Sequence, residues 1–412
     1  MKKLLLVSTA VAGVALLSSP AHAALTMSLG GFFEGYGAYA DAHAPAADHL
    51  SQYGIVRDSE VFFNGESTLD NGLTVGAHTQ LYIGDNNNWD GLNADMNAKG
   101  LRLGSSSNAY PVNVSDVTNA NTQVDESYLY ASGGWGRVNF GQEDGAAYLL
   151  QVGAPSADSN VDGMRVYVQA LNPAFWDVNF GGLVLDYQQA DFRQTDRLTY
   201  LTPKVSGFQA GLSYAPQPGP SFIGGSAAGL PADQVDGSFK NPWEAAARWD
   251  GEFSGLALSG GAGYSNAQAQ NSTGSGVGNV GSKDLTTYNF GGNVAMSGFS
   301  LGAAYKHSNN GIEANAGKSS VTSIWDVGAG YDNGPYHGGV SYFHETLGGD
   351  LLSTTEANNA NVHRYAVGGG YTFGPGMTFR GSVDWGKYNA ASGSADASAR
   401  FEQVTVGTDV QF

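Results

Sequence analysis

The 412-residue chain contains no cysteine, so no disulfide framework can hold it together. Charged residues make up only 14% of it, and 19 basic residues face 37 acidic ones for a formal net charge of -18. A chain this acidic is not expected to bind nucleic acid, whose phosphates require clustered Lys and Arg. No stretch reaches the roughly 20 continuous apolar residues that a membrane-spanning helix needs.

Glycine and aromatic residues are abundant instead, with 60 Gly, 21 Tyr and 19 Phe. This composition is typical of a twisted β-protein with many exposed rings. The expected fold class is therefore all-β.

The N-terminus predicts a secretory signal peptide. Lys2 and Lys3 precede an apolar stretch from Leu4 to Leu17, and Ala21-His22-Ala23 supplies small residues for cleavage. We expect residues 1–23 to be removed and residues 24–412 to form a single domain. Loss of Lys2 and Lys3 leaves 17 basic residues against 37 acidic ones, a mature charge of -20.

Fifteen turn-rich connections, alternately tight and long, divide the mature chain into sixteen short segments. The tight ones carry the Gly, Asn and Ser residues that hairpins with positive φ require. They are Asp70-Asn71-Gly72, Gly133-Gly134-Trp135, Val205-Ser206-Gly207, Ser254-Gly255, Ser297-Gly298, Asn333-Gly334-Pro335 and Pro375-Gly376. The long ones lie near 41–56, 85–121, 144–192, 217–239, 268–282, 310–319, 346–361 and 389–399. This order predicts a transmembrane antiparallel β-barrel of 16 strands with both termini on the short-turn side.

Residues within the segments alternate between two faces. In 243–253, Trp243, Trp249 and Phe253 share one face, whereas Glu244 and Arg248 share the other. Only the first face suits hydrocarbon, so the second is predicted to line the lumen. The same parity places a set of basic residues inward: Arg193, Arg197, Arg248, Lys306, Arg364 and Arg380. In 29–40 aromatic residues occur on both parities, so the alternation is less regular there.

Three stretches resemble the general diffusion porins of Gram-negative bacteria, and the resemblance covers essentially the whole mature chain. Residues 136–148 resemble the strand that leads into the inward-folded third loop of that family, and residues 197–214 resemble the hairpin after it. Residues 404–412 resemble the terminal strand, with Phe412 as the assembly signal that the barrel-assembly machinery recognises.

The resemblance implies a water-filled outer-membrane channel, usually a homotrimer, surrounded by outer-membrane lipids and lipopolysaccharide. Small hydrophilic solutes and ions would cross it by passive diffusion, without a cofactor and without enzymatic activity. The connection 144–192 would be the loop that folds into the lumen and constricts the pore.

Charges on this loop and on the facing wall are the candidate constriction residues. Loop-side candidates are Glu143, Asp144, Asp158, Asp162 and Arg165, with Asp177 and Asp186 further along. The inward basic set forms the wall side. Acidic residues on the loop that face basic residues on the wall produce a transverse electric field across a narrow aqueous gap. The acidic loop and the negative charge of the mature chain together predict a weak preference for cations.

Four alternatives remain open at this stage. An outer-membrane enzyme would need a nucleophile or metalloprotease motif, and no His-Glu-x-x-His occurs. Residues 298–302 match Gly-x-Ser-x-Gly, but they lie at a predicted short turn between two strands and not at a strand-to-helix elbow. Residues 85–91 superficially suggest a calcium loop, but Trp89 stands where an oxygen ligand is required, so only incidental calcium is expected. Phe residues near the short turns (Phe208, Phe253, Phe299) and Tyr residues towards the long loops (Tyr264, Tyr305, Tyr342) predict two aromatic belts, which a β-sandwich would not need. A substrate-specific channel would differ only in its lumen side chains, and parity leaves few aromatic residues there.

Residues 175–189 could form an extra strand or a flap.

Overall fold

The computed structural model describes the barrel strands, the short turns and part of the third long connection. The described residues are 25–43, 52–83, 123–157, 187, 189, 191–192, 195–217, 239–270, 283–314, 319–348, 359–389 and 398–412. The predicted signal peptide lies outside them.

Sixteen strands and one short helix make up the described chain. The strands are β1 Thr26–His43, β2 Tyr53–Thr68, β3 Thr74–Tyr82, β4 Gln123–Gly133, β5 Gly136–Glu143, β6 Thr195–Leu201, β7 Phe208–Tyr214, β8 Phe239–Phe253, β9 Leu256–Ala269, β10 Leu285–Met296, β11 Phe299–Ser308, β12 Thr322–Asn333, β13 Tyr336–Leu347, β14 Ala360–Gly374, β15 Met377–Asn389 and β16 Ser398–Gln411. The helix α1, Ala146–Leu149, follows β5. No helix among the described residues is long and apolar enough to cross a membrane.

Each strand pairs antiparallel with its sequence neighbours, and β1 closes the ring by pairing with both β2 and β16. Phe32 lies opposite Glu60 on one side and opposite Gln411 on the other. Closure leaves no unpaired sheet edge, as a lipid environment requires. The predicted 16-strand antiparallel barrel is confirmed, and it closes without a strand from residues 175–189.

The seven tight connections lie where the sequence placed them. In three of them a Ser-Gly pair has positive φ at both residues: Ser206 and Gly207 at 49° and 85°, Ser254 and Gly255 at 50° and 81°, and Ser297 and Gly298 at 52° and 88°. Two left-handed residues in a row match the type I′ hairpin, whose twist continues that of the strands.

The outer wall is apolar and the inner wall is polar. Phe208, Phe253, Phe299 and Phe373 are exposed near the short turns, and Trp385 is exposed towards the long loops. Arg364 and Arg380 are buried on the opposite face. The first strand, whose aromatic residues occur on both parities, also has an outer and an inner face. Phe33 and Tyr39 are exposed on the outer face, whereas Tyr36 is buried on the inner one.

The lumen as the candidate functional site

The third long connection begins on the inner wall. After Gly145, the backbone N–H of Ala146 donates to Ser213 Oγ at 2.7 Å, and that of Ala147 donates to Glu244 Oε2 at 2.9 Å. Ala146 and Leu150 then pack against Ala246 of β8. Ser213 and Glu244 therefore hold the start of the connection against strands β7 and β8.

From residue 147 to residue 157 the connection crosses the inner faces of β9 to β13. Asn293 Nδ2 donates to the carbonyl oxygen of Gly153 at 2.8 Å, and Arg248 Nη1 donates to that of Gln151 at 3.3 Å. His337 Nε2 lies 3.4 Å from the carbonyl oxygen of Ser156. These wall side chains bind the backbone of the segment, so the segment follows the wall.

Six inward-facing glycines on these five strands, here called the glycine track, make room for that backbone. A Cβ at Gly291 would overlap the carbonyl oxygen of Val152, and one at Gly328 would overlap that of Pro155. The track consists of Gly261, Gly263, Gly291, Gly302, Gly328 and Gly339. Any side chain at these positions would hold the segment away from the wall.

The returning arm of the connection is fixed to the same wall. Gln189 Nε2 donates to Ser265 Oγ at 2.6 Å and to the carbonyl oxygen of Thr287 at 3.2 Å. Burial raises the pKa of the Asp191 carboxyl, and this effect is opposed by nearby Lys306 and by a hydrogen bond with Thr287. Phe192 packs among Phe239, Ala267 and Leu285.

Arg197 connects the two ends of the connection through Glu244. Its Nη1 lies 2.8 Å from Glu244 Oε1, and both side chains are almost completely buried. Its Nη2 donates to the carbonyl oxygen of Phe192. Glu244 thus accepts hydrogen bonds from both ends of the connection. One comes from the backbone of Ala147 at its start, and the other comes from Arg197, whose guanidinium holds its last residues. The alternation pattern placed Glu244 inward, but no sequence feature linked it to the loop.

The predicted wall charges among the described residues face inward, and three of them are paired with wall carboxylates. Arg197 pairs with Glu244, Arg248 with Asp250 at 3.0 Å and Arg380 with Asp409 at 2.9 Å. Lys306 and Arg364 are also buried, and Arg364 lies over the Phe343 ring with its Cζ 5.5 Å from the centroid. These contacts reduce the net positive charge that the paired residues present to a solute.

The loop-side candidates are only partly described. Glu143 and Asp144 are buried at the start of the connection, and Asn139 Nδ2 donates to Glu143 Oε2 at 2.7 Å. Asp158, Asp162, Arg165, Asp177 and Asp186 lie outside the described residues, as does Arg193 of the wall set. The acidic stretch 85–91 is also outside them, so incidental calcium binding stays a prediction.

Carboxylates collect on the inner wall formed by β2 to β4. Gln80 Nε2 donates to Glu60 Oε2 at 2.6 Å and to Asp125 Oδ2 at 3.0 Å, and His78 Nε2 lies 3.5 Å from Glu126 Oε2. The described part of the third connection lies along the opposite strands. This arc therefore places carboxyl groups on strands that residues 147–157 do not cover.

Comparison with known proteins agrees with this architecture. A family model described as Gram-negative porin matches residues 8–408. A search of curated protein sequences found no match.

Among solved structures, the chain is similar to an anion-selective porin from Comamonas acidovorans, with a TM-score of 0.56 and 15% identity over 94% of this chain and 100% of that one. It is also similar to OmpT, an outer membrane protein of Vibrio cholerae, in its trimer form, with a TM-score of 0.54 and 14% identity over 94% of this chain and 100% of that one. A loop L8 deletion mutant of OmpT gives a TM-score of 0.55 at 13% identity, over 94% and 99% of the two chains. At these identities the likeness concerns the fold.

Proposed function

Because the chain belongs to the Gram-negative porin family, we propose that this outer-membrane channel passes small hydrophilic solutes and ions by passive diffusion, with a weak preference for cations. The observation that supports this most is the closed 16-strand barrel with apolar side chains outside and charged side chains inside. Such a wall separates lipid from a polar path along the barrel axis.

The cation preference is supported by the distribution of lumen charge. Three of the inward bases are paired with wall carboxylates, and the carboxylates of Glu60 and Asp125 lie together on one arc. A net negative lumen raises the local concentration of cations. We also propose that Glu143 and Asp144 belong to a constriction formed by residues 144–192.

Single-channel recording in a planar bilayer with a salt gradient tests this function. We expect stable conductance steps and a reversal potential of the sign that cation permeation gives. The double variant Glu60→Gln/Asp125→Asn should move that potential towards the value of a non-selective pore. A reversal potential that favours anions would disprove the proposed selectivity, and a folded barrel without conductance would contradict the channel itself.

No catalytic activity is part of this proposal, because a family of channels and a lumen of structural ion pairs call for none.

We further propose that residues 1–23 are a cleaved signal peptide. Mass spectrometry of the protein purified from outer membranes should give a mature chain that starts at residue 24. An intact N-terminus on the membrane-inserted protein would contradict this.

Assembly as a homotrimer is proposed from the outer wall and from the OmpT structure described as a trimer form. Tyr53 and Ile55 are 73% and 89% exposed beside the small residues Gly37, Ala38 and Gly54. Such an apolar surface suits contact with lipid, lipopolysaccharide or another copy.

Phe412 pairs with Gly31 through two backbone hydrogen bonds of 2.9 and 3.0 Å. Its ring therefore lies at the short-turn end of the barrel, where we propose that the assembly machinery recognises it.

A further inference from the structure

Four aromatic rings form a continuous row on the inner wall across β1 to β4. Ring centroids lie 6.1 Å apart between Phe32 and Phe62, 6.2 Å apart between Phe62 and His78, and 5.1 Å apart between His78 and Tyr128. These spacings are those of interacting rings. We call this set the aromatic row.

The aromatic row faces the lumen. The sequence neighbours Phe63 and Leu129 are exposed on the apolar outer wall, and adjacent strand residues point to opposite faces. His78 Nδ1 lies 2.6 Å from Asn64 Oδ1, within the inward polar set. All four rings are half-buried, so part of each stays accessible.

The row lies near the middle of the barrel wall. His78 is four residues from either end of β3, at Thr74 and Tyr82, and Tyr128 is five residues from either end of β4, at Gln123 and Gly133. The row is therefore part of the central lumen wall and not of either rim.

Carboxylates border the row on both sides. Glu126 lies 3.5 Å from the His78 ring, and Glu60 is two residues from Phe62 on the same strand face. Towards the short turns, Tyr130 donates its hydroxyl to Glu66 Oε2 at 2.7 Å. Its ring crosses over Gly76, where a Cβ would overlap it. The rings are therefore edged by negative charge along the lumen axis.

The protein itself already places a cation on this surface. The Arg137 guanidinium lies over the Tyr130 ring, with Cζ 3.9 Å from the centroid, and 5.8 Å from that of Tyr128. Aromatic faces attract cations because the π-system carries negative charge above and below the ring. A guanidinium therefore already lies beside the Tyr128 end of the row.

We propose that the aromatic row is a binding face for organic cations that carry an apolar group, such as aryl or alkyl ammonium ions. The apolar part stacks on Phe62 and Tyr128, and the ammonium group lies over the rings beside Glu60. Binding of this kind is weak enough to release the solute, as conduction requires. This inference rests on the proposed channel function and adds a solute class to it.

The test is block of potassium chloride current by benzyltrimethylammonium added on the short-turn side. We expect concentration-dependent reduction of single-channel current at a defined half-blocking concentration. Phe62→Leu and Tyr128→Leu should each raise that concentration by about 2- to 5-fold, the effect of one lost cation–π contact. Glu60→Gln should raise it as well, which separates the charge contribution from the ring contribution.

Phe63→Leu is the matched control, since it removes the neighbouring ring from the outer wall of the same strand. It should leave the half-blocking concentration unchanged. Equal effects of Phe62→Leu and Phe63→Leu would overturn the proposal. The proposal would also be overturned if sucrose, and not the ammonium ion, blocked the current and this block was lost in Phe62→Leu. The row would then bind neutral sugars.

Failure of the proposed binding face can be distinguished from failure of the proposed channel function. Conductance without blocker reports the open pore, and its absence would refute the channel while leaving the binding face testable. In that case, titration calorimetry of benzyltrimethylammonium into the folded barrel in detergent, with the same variants, decides the question. Heat of binding that is equal in wild type and Phe62→Leu would overturn the proposal.

Discussion

At the scale of single residues, Glu244 shows how an inward charge can have a structural role. Its two oxygens are shared between Arg197 and the backbone of Ala147, with almost no exposure. Burying both charges costs desolvation free energy, which only good geometry on both sides offsets. Removal of one partner would leave the other charge buried and unpaired.

We therefore predict that Glu244→Ala lowers the free energy of unfolding by about 3 to 5 kcal/mol, as for other broken buried pairs. Urea unfolding of the detergent-solubilised barrel measures this. The open-channel current should also become noisier, because both ends of the third connection lose their anchor.

Lys204→Ala provides the control, because the Lys204–Asp250 pair has a half-exposed lysine. Exposed pairs contribute about 0 to 1 kcal/mol, so this variant should remain close to wild type. Similar losses for Glu244→Ala and Lys204→Ala would show that burial of the Glu244 pair is unimportant.

The sequence predicted the side on which each of these residues lies but not its partner. A period of two places Arg197 and Glu244 on the inner face, since that period is a property of each strand alone. Their pairing depends on the register between β6, β7 and β8 and on a loop that covers them. Neither is encoded in local alternation, so Arg197 was predicted as an available wall charge.

At the scale of elements, the short turns are the best-predicted parts of the chain. Ser254 and Gly255 adopt positive φ because a two-residue hairpin requires it, and local composition reports this directly. The third connection is the opposite case. Its path depends on the glycine track, whose members lie far apart in sequence and read individually as ordinary strand glycines.

For the turns, we predict that Ser254→Val costs about 1 to 2 kcal/mol, the penalty of a left-handed conformation for a residue with a branched Cβ. Ser254→Asn should retain wild-type stability, because Asn tolerates that conformation. Refolding yield into detergent and urea unfolding compare the two variants. A Val variant as stable as the Asn variant would contradict the type I′ assignment.

For the third connection, we predict that Gly291→Val lowers single-channel conductance. Its side chain would occupy the position of the Val152 carbonyl and displace the segment towards the barrel axis. Gly260→Val is the control, since Gly260 faces the outer wall and its nearest neighbour for a Cβ is the Gly291 oxygen at 3.9 Å. Unchanged conductance in Gly291→Val would mean that the segment does not limit the pore.

At the scale of the whole molecule, strand number, barrel closure and the position of both termini at the short-turn end were predicted from the sequence, because residue alternation recurs in all sixteen strands. An irregular pattern in one strand then does not change the prediction. The lumen chemistry had no such repetition. Parity suggested few aromatic residues inside, yet Phe32, Phe62 and Tyr128 face the lumen because the first strands have aromatic residues on both faces.

Assembly gives a prediction at this scale. The absence of cysteine allows a single thiol to be introduced at Ile55, in the exposed apolar surface beside Tyr53 and Gly54. We expect Ile55→Cys to be cross-linked between copies by a bifunctional maleimide in the membrane. Gel electrophoresis should show species of higher mass.

Leu301→Cys, on the outer wall of β11, should remain monomeric under the same treatment, since it lies away from this surface. Equal cross-linking of both variants would indicate random collisions in the membrane. Absence of cross-linking at Ile55 would place the interface on other strands.

The glycine track also has a mechanical consequence. Where the segment lies on β9 to β13, the barrel has two layers of backbone joined by hydrogen bonds such as that from Asn293 to Gly153. A single-layer sheet bends readily about its strand axes, whereas a bonded double layer resists bending. We therefore expect this sector to resist flattening of the cylinder under lateral membrane pressure.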